Sequence, residues 1–233
     1  MDSALSIGLR SARALAVPAA ILIAGGVALV VSYYHVPAVS GAFAHVAELK
    51  AEYGYAFSFL LNFALAGVLP WIFRMSLRAL RPEKPLSELL FGTLWWGGFA
   101  IVVDALYRLL GHLFDGRGWP ASGVIAAKLS VDLCLFMPLF AAPVIALAHL
   151  WKDAGYDFGR LRAGMTRGWY RRLVLPNLIP NHMVWLPGAT LVFCMPPHLQ
   201  LTLSSLIACF WALMCLQIAA RTKGRIEVRN AEG

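Results

Sequence analysis

The chain has 233 residues, of which 60% are hydrophobic and only 14% are charged, and its mean hydropathy is +0.68. This leaves too little polar surface to coat a water-soluble globule. The composition therefore excludes a soluble domain and predicts an all-α polytopic transmembrane helix bundle in a lipid bilayer. Membrane topology and attraction to anionic headgroups explain the formal net charge of +8, so we expect no nucleic-acid partner.

Six stretches meet or approach the roughly 20 apolar residues that a spanning helix requires. They are residues 15–34, 56–75, 89–110, 124–150, 173–195 and 199–220. Nearly the whole chain is thus membrane segment or short connection. We expect one integral membrane domain over residues 1–233, with amino-terminal helices in 1–85 and a helical core in 86–222.

The basic residues fall on alternate sides of these six segments. Sixteen of the 20 Lys and Arg residues precede the first segment or follow the second, fourth and sixth. Cationic connections are retained on the cytoplasmic side of a membrane. The pattern therefore predicts both termini on that side, with Lys50 and Arg117 in loops on the opposite side.

The third and fourth segments each carry an oppositely charged pair at a spacing of four residues. Asp104 and Arg108 share one helix face with Tyr107, and Lys128 precedes Asp132 in the same way. A charge at membrane depth costs about 2.5–3.5 kcal/mol on insertion scales unless it faces protein or water. Two interpretations stay open, a charged site in a water-filled path or an interhelical salt-bridge cluster that fixes packing.

The fifth segment is interrupted by prolines and polar residues. They are Pro176, Asn177, Pro180, Asn181 and Pro187. Each proline removes a backbone donor, which a membrane tolerates only where protein or water satisfies the freed carbonyl group. The spacing of the asparagines predicts a face turned towards the bundle interior or a cavity, and the alternative is a kinked helix that is packed on all sides.

The connection between the fourth and fifth segments, from Lys152 to Arg172, mixes six cations with aromatic residues. This composition is typical of an interfacial segment, with aromatic rings at headgroup level and cations directed towards anionic lipid. A role in binding a partner protein is the alternative.

No catalytic, nucleotide-binding or metal-binding motif occurs in the sequence, and the histidines and cysteines lack the spacing of metal ligands. We therefore expect no enzyme activity, no cofactor and no metal. The oligomeric state stays open, with a homo-oligomer among the alternatives.

Three landmarks follow one another in the carboxy-terminal two-thirds of the chain. They are Asp132 followed by Phe136 and Pro138, then the set Trp185, Pro187, Phe193 and Pro197, and finally Trp211 in the last segment. With these landmarks, residues 89–220 resemble the family of the 22-kilodalton peroxisomal membrane protein and its Mpv-type mitochondrial inner-membrane relatives. Where that family carries Gln, Asn and Arg, this chain has Ala189, Val192 and Leu201. The chain thus resembles a divergent, bacterial member.

The resemblance implies an integral protein of the inner mitochondrial or peroxisomal type of membrane. For a bacterial member we expect the cytoplasmic (inner) membrane, with the mitochondrial inner membrane and the peroxisomal membrane as alternatives. The resemblance also implies a weakly selective channel or transporter for ions or small metabolites. The alternative function is a non-transporting membrane protein that organises or stabilises a complex. Asp104, Arg108, Asp132 and the interrupted fifth segment are the candidates to line a path.

Overall fold

The computed structural model describes the backbone of residues 4–231 and the side chains of Arg13 and residues 15–217. No strand occurs in this part of the chain, which confirms the all-α prediction. Its α-helices are α1 (Ala4–His35), α2 (Pro37–Asn62), α3 (Leu69–Ser76), α4 (Pro85–Phe114), α5 (Ala121–Leu129), α6 (Ala142–Asp153), α7 (Phe158–Gly164), α8 (Leu175–Phe193) and α9 (Pro197–Ala231).

Three π-helical segments connect or precede these helices. Phe63–Val68 joins α2 to α3, Ser130–Ala141 joins α5 to α6, and Tyr170–Val174 leads into α8. π-Helix is rare, it occurs mostly as single turns within α-helices, and it is frequent at functional sites. Two of the membrane helices, Pro37–Ser76 and Ala121–Asp153, thus contain a π-helical segment between α-helical parts.

Five helices in the described residues are long and apolar enough to cross a membrane. They are Leu15–His35, Pro37–Ser76, Pro85–Phe114, Ala121–Asp153 and Pro197–Gln217. Each overlaps one of the predicted segments, so the chain is an integral membrane protein. The predicted segment 173–195 is also helical, as α8, but it is not among these five, because its prolines, asparagines and histidine lower its hydropathy.

The second membrane helix begins much earlier than predicted. The sequence prediction placed Lys50 in a loop, and this is wrong, because α2 starts at Pro37, only one residue after α1, and buries Lys50. Proline is favoured at the first helical position, where its fixed φ and missing N–H cost nothing. At about 1.5 Å per residue, the 40-residue stretch Pro37–Ser76 would measure about 60 Å if straight, twice the hydrocarbon thickness. A break occurs at Gly54, whose φ of 52° and ψ of −120° favour glycine.

The helices fall into two compact units. One is made of Met1–Ile23 and Phe114–Thr190, and the other is made of Ala24–Leu113 and Leu191–Gly233. We call them the first and the second unit. The subdivision near residue 85 that was expected from the sequence stays a prediction.

In the second unit, α2, α3 and the π-helical segment Phe63–Val68 all pack against α9. α4 approaches α2 and the segment Phe63–Val68 closely because small residues lie at these contacts, as is common between membrane helices. A Cβ atom at Gly67 would lie 2.6 Å from Cα of Thr93, and one at Gly97 would lie 2.9 Å from the ring of Phe59. The same buried face of α4 continues to Asp104, so the tight packing brings that carboxylate against α2.

Candidate functional site

The second unit contains a buried ion pair between two helices. Nζ of Lys50 donates hydrogen bonds to Oδ2 of Asp104 and to Oγ of Ser58, and it lies 3.3 Å from the carbonyl oxygen of Gly54. Only 5% of the Lys50 side chain and 6% of the Asp104 side chain are exposed, and Ser58 is fully buried. We call these four residues the Lys50–Asp104 cluster.

The sequence of α2 explains how three members of this cluster meet. Lys50, Gly54 and Ser58 are separated by steps of four residues, and Asn62 continues the series. Residues four apart lie on the same face of a regular helix, and the contacts of Lys50 with Gly54 and Ser58 keep the series on one polar stripe across the break at Gly54. The break at Gly54 directs its carbonyl oxygen to the stripe, where it lies 3.3 Å from both Lys50 Nζ and Ser58 Oγ.

Asp104 receives its contacts on one carboxylate oxygen. Besides Lys50, the Ser58 hydroxyl donates to Oδ2 at 2.8 Å, and Nε of Arg108 lies 3.5 Å from the same atom. The predicted Asp104–Arg108 pair is therefore confirmed. The Arg108 side chain is 52% exposed, and its guanidinium lies 4.8 Å from the ring centroid of Tyr55. Two cations thus share one carboxylate.

Two hydroxyl groups of α9 extend the polar region. Nδ2 of Asn62 donates to Oγ of Ser205 at 2.8 Å, and the hydroxyl of Tyr107 donates to Oγ of Ser204 at 3.2 Å. All four residues are buried. The polar stripe of α2 and the polar face of α4 therefore reach adjacent positions on α9, which fixes the three helices relative to one another by directional bonds.

Nearer to the start of α9, two buried polar atoms have no hydrogen-bond partner among the described residues. They are Oε1 of Gln200 and Oγ1 of Thr202. The amide of Gln200 is partly satisfied, because Nε2 donates to the carbonyl oxygen of Met195 at 3.1 Å. A buried polar group without a partner costs about 1–3 kcal/mol, so these two atoms are positions at which an ordered water would be stabilising.

In the first unit, the predicted pairing of Lys128 with Asp132 is wrong. Nζ of Lys128 instead lies 2.8 Å from Oδ1 of Asp115, near the end of α4. The physical reason is the change to π-helical geometry at Ser130, since the spacing of four that aligns side chains in an α-helix is lost there. Asp132 is buried and interacts electrostatically with His182 of α8.

Two prolines explain why side chains contact the backbone carbonyl groups of this π-helical segment. In π geometry the N–H of residue i+5 donates to the carbonyl of residue i, as Ala142 does to Met137. Pro138 and Pro143 have no N–H, so the carbonyl groups of Leu133 and Pro138 lose their donors. Side chains replace them, because Nε2 of His182 lies 3.0 Å from the Leu133 oxygen and the hydroxyl of Tyr170 donates to the Pro138 oxygen at 2.9 Å.

The two asparagines of α8 differ in their surroundings. Asn177 is exposed, and its amide donates back to the carbonyl oxygen of Leu173 at 2.9 Å. Nδ2 of Asn181 is buried and has no hydrogen-bond partner among the described residues. Of the two, Asn181 is thus the one whose amide nitrogen can still donate a hydrogen bond.

The residues that carry the family resemblance are dispersed. Phe136 and Pro138 lie in the π-helical segment of the first unit, Trp185 and Pro187 on α8, Phe193 at the end of α8, Pro197 at the start of α9 and Trp211 within α9. Phe193 contacts one of the buried polar residues of the second unit, since its ring centroid lies 5.4 Å from that of Tyr107.

The basic connection that begins at Lys152 contains the short helix α7. The Asp157 carboxylate caps this helix by accepting a hydrogen bond from the backbone N–H of Arg160 at 3.0 Å. The ring of Trp151 packs against Phe158 and Tyr156, with centroid distances of 5.3 Å and 5.1 Å. Exposed aromatic groups therefore lie beside exposed cations in this connection.

Comparison with known proteins leaves the function to be argued from the residues. No family model matches the chain, and no curated protein or solved structure matches it. The resemblance to the peroxisomal and Mpv-type family stays a prediction that rests on the residues named for it.

Proposed function

We propose that this integral membrane protein is a weakly selective channel or transporter that passes ions or small metabolites. The observation that supports the proposal is the Lys50–Asp104 ion pair, which is buried within helices that are long enough to span a bilayer. Ionisable groups are costly at membrane depth, and where they are retained they commonly mark an ion or substrate path.

The broken backbone beside the ion pair supports the same proposal. Gly54 interrupts the helix within the cluster, and the π-helical segment Phe63–Val68 follows directly after Asn62. Irregular backbone at membrane depth is tolerated where protein or a water-filled cavity satisfies it, and transporters place their binding sites at such breaks. The path runs along the polar stripe of α2 to the hydroxyl groups of Ser204 and Ser205.

In the proposed topology both termini lie on the cytoplasmic side. Basic residues flank the chain at both ends, which requires an even number of crossings. The sixth crossing is α8, whose 19 residues extend about 28 Å, close to the hydrocarbon thickness. The connection from Lys152 to Arg172 then lies on the cytoplasmic side against anionic lipid.

The family assignment belongs to the same proposal. A divergent member of the peroxisomal and Mpv-type family, placed in a bacterial inner membrane, fits both a solute path and the absence of catalytic motifs from the sequence. Under this proposal the protein needs no cofactor and catalyses no reaction.

One observation favours the alternative, a membrane protein that organises a complex without transport. Lys50 and Asp104 satisfy each other and are almost fully buried, as in a salt bridge that fixes helix packing. This alternative predicts a stable partner protein on crosslinking. It also predicts that changes on lipid-facing helix surfaces abolish that association while leaving solute flux unaffected.

Reconstitution separates the two functions. Purified protein in liposomes loaded with small charged and neutral solutes should increase their efflux above that of protein-free liposomes. Asp104→Asn should change the efflux rate, whereas Glu88→Gln, on the same helix but paired with the partly exposed Arg74, should not. Correctly folded protein without any efflux would exclude the channel or transporter and leave the organising role.

A further inference from the structure

We propose that the Lys50 ammonium group and a monovalent alkali cation compete for the same oxygen atoms, so that the Lys50–Asp104 cluster is a proton–cation exchange site. This inference deepens the proposed transport function by naming the ions that the site couples. It concerns binding, which is measurable without transport.

The surroundings of Lys50 Nζ are those of a cation site. Three oxygen atoms converge on it, from the Gly54 carbonyl, the Ser58 hydroxyl and the Asp104 carboxylate. Backbone carbonyls at broken membrane helices, together with side-chain oxygens, coordinate Na⁺ in transporters. The ammonium group of Lys50 therefore occupies the position that a free cation would take.

The carboxylate retains capacity for a further ligand. Lys50, Ser58 and Arg108 all contact Oδ2 of Asp104, and Oδ1 receives no hydrogen bond from the described residues. A cation bound in place of the ammonium group therefore has both carboxylate oxygens, the Ser58 hydroxyl and the Gly54 carbonyl within its reach. The remaining coordination positions of Na⁺ are filled by water.

Charge balance determines which cation fits. The charged groups that act on Lys50 are Asp104 and Arg108, so the three together carry one excess positive charge when Lys50 is protonated. When an N–H bond of the ammonium group breaks, the electron pair stays on nitrogen and the proton leaves to water. Entry of one Na⁺ then restores the original charge, whereas a divalent cation would add a positive charge beside Arg108.

Among the described side chains, no charged group other than Asp104 and Arg108 acts on Lys50. α9 presents the neutral hydroxyls of Ser204 and Ser205 to α4 and α2, and α2 contacts Ser205 through the neutral Asn62. Exchange of one proton for one Na⁺ is thus electroneutral within the cluster. A transporter built on this site would couple Na⁺ movement in one direction to proton movement in the other.

The experiment uses full-length protein in detergent, in weakly buffered solution with a pH indicator. Addition of NaCl, against choline chloride at equal ionic strength, should release about one proton per wild-type chain in a saturable manner. Lys50→Met should bind ²²Na⁺ without releasing a proton, and Asp104→Asn should lose Na⁺ binding. Lys128→Met, which removes a buried lysine in the first unit, should behave like the wild type.

A second variant covers the case in which Lys50→Met does not fold. Lys50→Arg keeps the cation but places a permanently charged guanidinium in the site, so it should abolish both proton release and Na⁺ binding. Folded wild-type protein that releases no proton and binds no ²²Na⁺ would overturn the exchange site. Proton release from a protein that moves no solute in liposomes would instead overturn the transport function and leave the exchange site standing.

Discussion

Removal of the buried carboxylate should be the most damaging conservative change in the second unit. In Asp104→Asn the amide keeps the shape and one acceptor oxygen, so Ser58 retains a hydrogen-bond partner. The negative charge is lost, however, and Lys50 and Arg108 then face each other without compensation. Two unit charges 4 Å apart interact by about 4 kcal/mol at an effective dielectric constant of about 20.

Measured losses for one partner of a buried ion pair are about 3–5 kcal/mol. Arg108 is half exposed, so water screens its part of the repulsion. We therefore expect Asp104→Asn to lower the free energy of unfolding by about 3 kcal/mol. The control Glu88→Gln breaks an ion pair between partly exposed side chains and should cost about 1 kcal/mol or less.

The assay is unfolding in mixed detergent micelles, with increasing SDS fraction and helix content followed by circular dichroism. The double variant Lys50→Met with Asp104→Leu removes both charges and should recover most of the lost stability, because the pair is replaced by apolar groups of similar size. A single variant Asp104→Asn that is no less stable than Glu88→Gln would refute the view that Lys50 depends on this carboxylate.

Further predictions concern packing and the proline-rich segment. Gly67→Ala should destabilise the protein by about 1–3 kcal/mol, because its Cβ would overlap α4, whereas Gly98→Ala, which has open space, should be neutral in the same unfolding assay. His182→Phe should cost about 1–3 kcal/mol by leaving the Leu133 carbonyl without a donor. The additional change Pro138→Ala restores a backbone N–H and should reduce the loss of stability that His182→Phe causes. If the loss is unchanged, His182 does not replace the missing backbone donor.

The sequence predicted the helices well because long apolar segments depend on local composition. It predicted Arg108 as a partner of Asp104 but not Lys50, because Lys50 lies 54 positions away and a charged residue outside the 20-residue window was assigned to a loop. A signal was present in the spacing of Lys50, Gly54, Ser58 and Asn62 at steps of four. Such a polar stripe ahead of an apolar segment indicates that the helix begins earlier and is buried on that face.

The wrong pairing of Lys128 with Asp132 has a different physical origin. The rule of four applies to regular α-helix, and π-helical geometry begins between the two residues. Pro138 and Pro143 predict an irregular segment, but they do not predict which side chains donate hydrogen bonds in place of the missing N–H groups. His182 and Tyr170 do so by tertiary packing, and spacing along one helix does not reveal such partners.

The most direct test of a path through the Lys50–Asp104 cluster is water access to Ser58 in the membrane. With the four native cysteines replaced, Ser58→Cys in liposomes is exposed to a charged, membrane-impermeant thiol reagent, and efflux is recorded before and after. We expect the reagent to modify this position and to block efflux, because solutes pass through the cluster. Efflux that persists while the cysteine remains unmodified would contradict the path and favour a dry salt bridge that only holds the helices together.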